Sequence, residues 1–252
     1  MPIHVTHGPV KLGKKAPKRL LKALPLSNYM KASAVPYPPV CSWQRDVQWG
    51  MLGNDAVGDC TIADAFHIIM AQRSVTHAGS PITFTTEQAL ALYSAITGYN
   101  PADPNTDQGA VETDVLNYWK DTGMLGHKIA GYATVDVNNI DMVKAATYLF
   151  GGLYIGIQVP SYIMDVPAGG SWSQQLGQSA QIEGGHAIPV IGYGRDGARI
   201  VSWGTTYTFN WQFWADFCDE AYAVVSSDWI KQSGVSPTGL DLGGLLGDLK
   251  DL

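Results

Sequence analysis

Apolar positions recur with helical spacing in four stretches of the first 150 residues. From residue 60 to about residue 74, Ile62, Ala65, Phe66, Ile69 and Ala71 repeat roughly with helical spacing, in surroundings apolar enough for a buried helix. A second helix opens at Thr85-Thr86-Glu87-Gln88. Thr85 stands at the N-cap and Gln88 completes a capping box three residues on. It runs through Leu90, Leu92, Tyr93 and Ile96 to Gly98. Residues 110–121 carry Val111, Val115, Leu116, Tyr118 and Trp119 on one side, and Gly123 ends that helix. Residues 139–150 form a fourth, stopped by Gly151-Gly152.

The pattern then changes to strands, read at 128–137, 153–159, 186–192, 199–203 and 221–225. A helical front half and a strand-rich back half predict an α+β protein of two lobes. The helical lobe is expected at about 43–125 and the β-rich lobe at about 126–235. Residues 1–42 read as an extended arm, with a short helix at 18–24 before Pro25 and polyproline-like extension at 35–40. Residues 236–252 are rich in Gly, Leu and Asp and read as a tail.

Charge sharpens this picture. Residues 1–25 carry six Lys and Arg side chains and no acid, within a chain of net charge −6, so a basic arm precedes a body of −12. The arm docks on its own body or stays solvated, or else it binds an acidic partner surface. It lacks interleaved aromatics and any nucleic-acid-binding motif, which argues against nucleic acid. The chain is 252 residues long with 46% hydrophobic and 15% charged residues, a globular composition. No apolar run reaches bilayer-spanning length, and residues 1–25 lack a signal-peptide layout, so the expected location is cytoplasmic or within a particle. Three cysteines (Cys41, Cys60 and Cys218) cannot all pair, which argues against a disulfide framework. No zinc spacing or phosphate-binding loop is present, and no cofactor or metal is expected.

Two segments carry the candidate chemistry. Gly58-Asp59-Cys60-Thr61 places a thiol where a turn becomes a helix, and Gly184-Gly185-His186 places an imidazole at the head of an apolar strand. A helix N-terminus lowers a thiol pKa, and a neighbouring imidazole completes an activated nucleophile. An inward-pointing Asp59 works against the thiolate. His67 lies two turns along the same helix as Cys60, ~10 Å away by helix rise, and reads as structural.

In order and spacing these segments resemble papain-like cysteine peptidases. Asn54 stands six residues before the cysteine, where that family has its oxyanion glutamine. Thr86-Glu87-Gln88 resembles the family's Glu-Gln helix start. Gly185-His186-Ala187-Ile188-Pro189-Val190 resembles its histidine strand, and Glu220-Ala221-Tyr222-Ala223-Val224 its closing strand. Ser202-Trp203-Gly204 resembles the family's Asn-Ser-Trp-Gly, with Val201 where the imidazole-orienting Asn belongs. Ser202, Thr205 and Glu183 are the nearby candidates to replace that Asn. Val57 occupies a family disulfide position, and Thr61 replaces an aromatic residue.

The resemblance implies a peptidase or amidase acting on a peptide or amide through Cys60 and His186, with Asn54 at the oxyanion. The pattern also resembles uncharacterised proteins of tailed bacteriophages. That implies an alternative: a virion structural or decoration protein on the same scaffold, whose basic arm contacts a capsid.

Overall fold

The computed structural model describes residues 9–18, 24–30, 36–77, 80–174, 180–230, 237, 238 and 247. The helix read at 18–24 falls mostly outside these residues, as does the tail.

Five α-helices and eight strands are described. The helices are α1 (Cys60–Thr76), α2 (Thr86–Thr97), α3 (Glu112–Asp121), α4 (Ile140–Phe150) and α5 (Trp211–Phe217). The strands are β1 (Cys41–Ser42), β2 (Ile129–Thr134), β3 (Leu153–Pro160), β4 (Ser171–Trp172), β5 (Ile182–Tyr193), β6 (Gly197–Ser202), β7 (Thr205–Asn210) and β8 (Cys218–Ser226). The sheet order is β2-β8-β3-β5-β6-β7-β4, with β1 pairing β5 beside this path. Every pairing is antiparallel except β4 with β7.

The period-2 alternation of β3 and β8 divides the interior. Leu153, Ile155, Ile157, Ala221 and Ala223 face one core, shared with α4 and α5. Tyr154, Tyr222 and Val224 face the other, built on α1, α2 and α3. These two cores give the two lobes. α1 is buried almost all round, so it is the shared central helix rather than a surface one. Its position is fixed by polar contacts as well: Tyr154 Oη donates to the Thr61 carbonyl at 2.8 Å, and Gln72 Nε2 to the Phe150 carbonyl at 2.9 Å.

Local signals act where the sequence places them. Thr85 and Gln88 form the capping box of α2. Gly98 and Gly151 close α2 and α4 in the left-handed conformation, at φ 78° and 74°. β5 begins earlier than the sequence predicts. Gly184 and Gly185, which the sequence reading leaves ahead of the strand, continue the ladder against Val159 and Gln158. β4, β7 and α5 have no counterpart in the sequence reading. They form a small aromatic end of the sheet around Trp172, Tyr207, Phe209 and Phe213.

Candidate functional site

Cys60 is the first residue of α1, and α1 packs against β5. The Ala187 backbone N–H donates to Cys60 Sγ at 3.4 Å, which brings the thiol to the residue next to His186. The thiol and the imidazole are sealed, at 0% and 1% exposure.

His186 is held by Ser202 and Trp203. Its Nε2 is hydrogen-bonded to Ser202 Oγ at 2.9 Å, and its ring stacks on Trp203 at 5.1 Å and 21°. Its Nδ1 has no hydrogen-bond partner among the described residues. Strand alternation explains why Ser202 takes this place and Val201 does not. Ile188 and Val190 on β5, and Ala198 and Ile200 on β6, face the first core, and His186 and Ser202 continue those two rows. Val201 points to the opposite face, against Ala71 and Ile191. Of the candidate orienters, Glu183 is exposed, and Thr205 pairs through its backbone with Ser202 at the β6–β7 turn.

Asn54 is buried and lines one narrow crevice with His186, Ser202 and His67. Its Nδ2 donates to Asp59 Oδ1 at 2.6 Å. A primary amide has two donor hydrogens, so one remains for another acceptor. Asp59 points inward, as the sequence reading feared for the thiolate. Burial raises its carboxyl to about 8, although the Asn54 hydrogen bond pulls the other way. His67 contacts the Gly50 carbonyl at 3.0 Å, and burial lowers it to about 4, in keeping with a structural role.

Burial sets the protonation of the thiol and of the imidazole. It pushes the Cys60 thiol up to about 12, against hydrogen bonds from Ala187 and Gly13. It pushes His186 down to about 3, helped by the nearby His67. Thiol and imidazole are therefore both neutral at neutral pH.

The chain's own arm lies over the thiol, with Gly13 N–H directed at the Cys60 sulfur. Lys11 N donates to Asn54 O at 2.7 Å, Lys14 N to Gly185 O at 3.0 Å and Lys15 N to Ala110 O at 2.9 Å, while Ala110 N donates to Gly13 O at 2.8 Å. Lys14 thus bridges two walls, parallel to Ala110 and antiparallel to Gly185. Glycines permit this close approach. A Cβ at Gly13 would overlap the Gly58 carbonyl, one at Gly109 would overlap Gly13 O, and one at Gly185 would overlap Lys14 O. The Lys14 side chain is buried and paired with Asp219 and Glu220, each at 2.9 Å. Lys18 pairs with Asp114 at the surface. At these two lysines the arm docks on its own body. The sequence reading did not single out Lys14, Glu112, Asp219 or Glu220. The available signal was the opposite charge of arm and body, together with the run of glycines facing the cleft.

No family model matches the sequence, and no curated protein is similar to it in sequence. Solved structures do match. Xylellain, a cysteine protease from Xylella fastidiosa, superposes with a TM-score of 0.66 at 15% identity, over 86% of this chain and 96% of that one. Digestive procathepsin L2 proteinase from Tenebrio molitor larval midgut gives 0.59 at 13%, over 89% and 80%. ProCathepsin B S9 from Trypanosoma congolense gives 0.56 at 9%, over 86% of each chain. The fold is papain-like. At such identities the likeness concerns the backbone, and the chemistry has to be argued from the residues.

The papain-like fold brings the Cys60 helix of one lobe against the His186 strand of the other. Cys41, Cys60 and Cys218 are all free. Among the described residues, no helix is long and apolar enough to cross a membrane, and no group of three His, Cys, Asp or Glu side chains is arranged to hold a metal ion.

Proposed function

We propose that the chain is a cysteine hydrolase of peptides or amides, working through Cys60 and His186, in a form closed by its own arm. The observation that carries this reading is the thiol at the start of α1, in contact with the residue beside an imidazole whose Nε2 is anchored and whose Nδ1 is unpaired.

With Nε2–H donating to Ser202 Oγ, the lone pair lies on Nδ1. Once the arm leaves, water and substrate enter and the burial that holds both groups neutral is relieved. His186 Nδ1 accepts the Sγ proton as the Cys60 sulfur attacks the carbonyl carbon. The oxyanion is met by the Cys60 N–H at the helix start and by the remaining Asn54 amide hydrogen. His186 returns the proton to the leaving amine, and water then hydrolyses the thioester.

The arm blocks this chemistry without undergoing it. Gly13 offers the sulfur an N–H, and its carbonyl is turned to Ala110 N.

The test is hydrolysis of a mixed fluorogenic peptide library by the full chain and by a Gly13→Val variant, each with a Cys60→Ala control. Turnover that disappears with Cys60→Ala supports the reading. Turnover unaffected by Cys60→Ala, or none in either chain, contradicts it. Ser202 is a positioning residue on this reading. Ser202→Ala is expected to lower kcat up to about 100-fold with KM little changed. Loss of the Oγ acceptor destabilises the imidazolium, so the acidic limb of the pH–rate profile should move to lower pH. Ser202→Thr, which keeps the hydroxyl, should restore both.

One observation favours a second reading, a scaffold role without turnover, as in a particle-associated protein. The thiol is completely buried and held neutral. That reading expects Cys60 to stay inert even when the arm is displaced.

A further inference from the structure

The Lys14 side chain ends in a socket. Its ammonium lies 2.9 Å from Asp219 Oδ1 and 2.9 Å from Glu220 Oε1, with the side chain fully buried. Glu112, at the start of α3, supplies a third acid. Its Oε1, Asp219 Oδ1 and the Lys14 stem all crowd the position that a Cβ on Gly156 would take. Glu112 is buried, and neither of its carboxyl oxygens has a hydrogen-bond partner among the described residues.

The walls are held independently of the lysine. Gln158 Nε2 donates to Asp219 Oδ2 at 2.5 Å, and Tyr222 Oη to Glu220 Oε2 at 2.7 Å. Burial opposes the charge on Lys14, but Glu112 and Glu220 outweigh it, and the lysine pKa is raised. Burial and the Glu220 charge push the Glu112 carboxyl well up, although Lys14 pulls it down.

The socket opens onto the groove, since Lys14 enters it from a backbone bonded to both Gly185 and Ala110. Whatever backbone replaces the arm meets the same cavity. Leaving buried carboxylates without a cation is costly, so an empty socket disfavours the open groove and a filled one favours it.

We propose that Glu112, Asp219 and Glu220, with Gly156 leaving the space, form a specificity pocket that selects a long basic side chain, lysine or arginine, in the peptide that displaces the arm. This deepens the hydrolase reading and rests on it for the identity of the groove. The ligand is a peptide with a cation on an apolar stem, inserted beside the reacting bond.

The experiment measures binding, so that it does not depend on turnover. The full chain carrying Gly13→Val and Cys60→Ala is titrated with the acetylated heptapeptide amide Val-Lys-Leu-Gly-Lys-Lys-Ala, which copies residues 10–16. Two further peptides carry norleucine or glutamate in place of the lysine that copies Lys14. The lysine peptide is expected to bind about 30-fold or more tighter than the norleucine peptide, and the glutamate peptide weakest. Glu220→Gln, close in shape, should shrink the gap. Asp219→Asn, at a partly exposed position, is the second variant should the first fold poorly.

Equal binding of the lysine and norleucine peptides, a gap unchanged in both variants, or no binding of any peptide overturns the pocket. The hydrolase reading fails separately. Peptides cleaved by the Gly13→Val chain without preference for a basic residue overturn the pocket and leave the hydrolase. Selective lysine binding with no cleavage leaves the pocket and overturns the hydrolase.

Discussion

Gly13→Val in the full chain is expected to raise peptide turnover by about 100-fold or more. The arm is held over the thiol by four backbone hydrogen bonds and the buried Lys14 ion pairs. Each such hydrogen bond is worth about 1 kcal/mol net, so the closed state is favoured by a modest sum. A valine at position 13 drives its Cβ into the Gly58 carbonyl, a backbone atom that no rotamer change can move aside. Forcing volume into a packed site costs about 1–3 kcal/mol, and the upper end shifts a two-state population about 100-fold. Gly13 belongs to the arm, whose flanking Val10 and Leu12 pack only partly buried against the first core, so the cost falls first on arm docking.

The same change should alter the pH dependence of Cys60. The thiolate is the reactive form. In the closed chain, burial holds the thiol near 12, so its reactivity should climb throughout the alkaline range. In the opened chain, reactivity should already be near its plateau around neutrality. Unchanged turnover and an unchanged pH profile in Gly13→Val would mean that something other than the arm seals the site.

His186→Ala in the Gly13→Val background is the second large effect. Turnover should fall by about 1,000-fold or more, as when one member of a nucleophile–base unit is removed. The loss should appear in kcat rather than KM, because the imidazole moves a proton and does not hold the peptide. The alkaline pH dependence of Cys60 should return, because a neighbouring base no longer takes its proton. A loss of less than tenfold would assign His186 a packing role beside Trp203.

The helices α2, α3 and α4 were legible because each buries one face and prints a period, and α1 and the central strands β3 and β5 because burial on nearly every side prints an apolar run between turn signals. β7 and α5 were not. Tyr207, Phe209, Trp211 and Phe213 alternate with polar residues, and the short α5 follows β7 directly. The period of 2 runs on past the start of α5 at Trp211, so it does not mark where the strand ends and the helix begins.

Cys60, His186 and Asn54 were legible as candidates from their local context: a helix start, a strand start and a turn. The partner of the imidazole was harder. Val201 and Ser202 are neighbours in sequence but face opposite sides of β6, and only the register of β6 against β5 decides which meets His186. That the arm docks on its own body was one of the readings its charge offered, but the place of the contact was not legible. It joins residues 11–15 to 54, 110, 185 and 219–220, and no local pattern encodes pairings at that separation.

The most direct measurement is site-resolved alkylation by iodoacetamide at neutral pH, read by mass spectrometry at Cys41, Cys60 and Cys218. It is run on Gly13→Val with and without His186→Ala. The result expected is rapid modification of Cys60 alone in the first protein and slow modification of all three in the second. Cys60 labelled no faster than Cys41 and Cys218 after arm release, or equally fast without the imidazole, would contradict a nucleophile paired with His186.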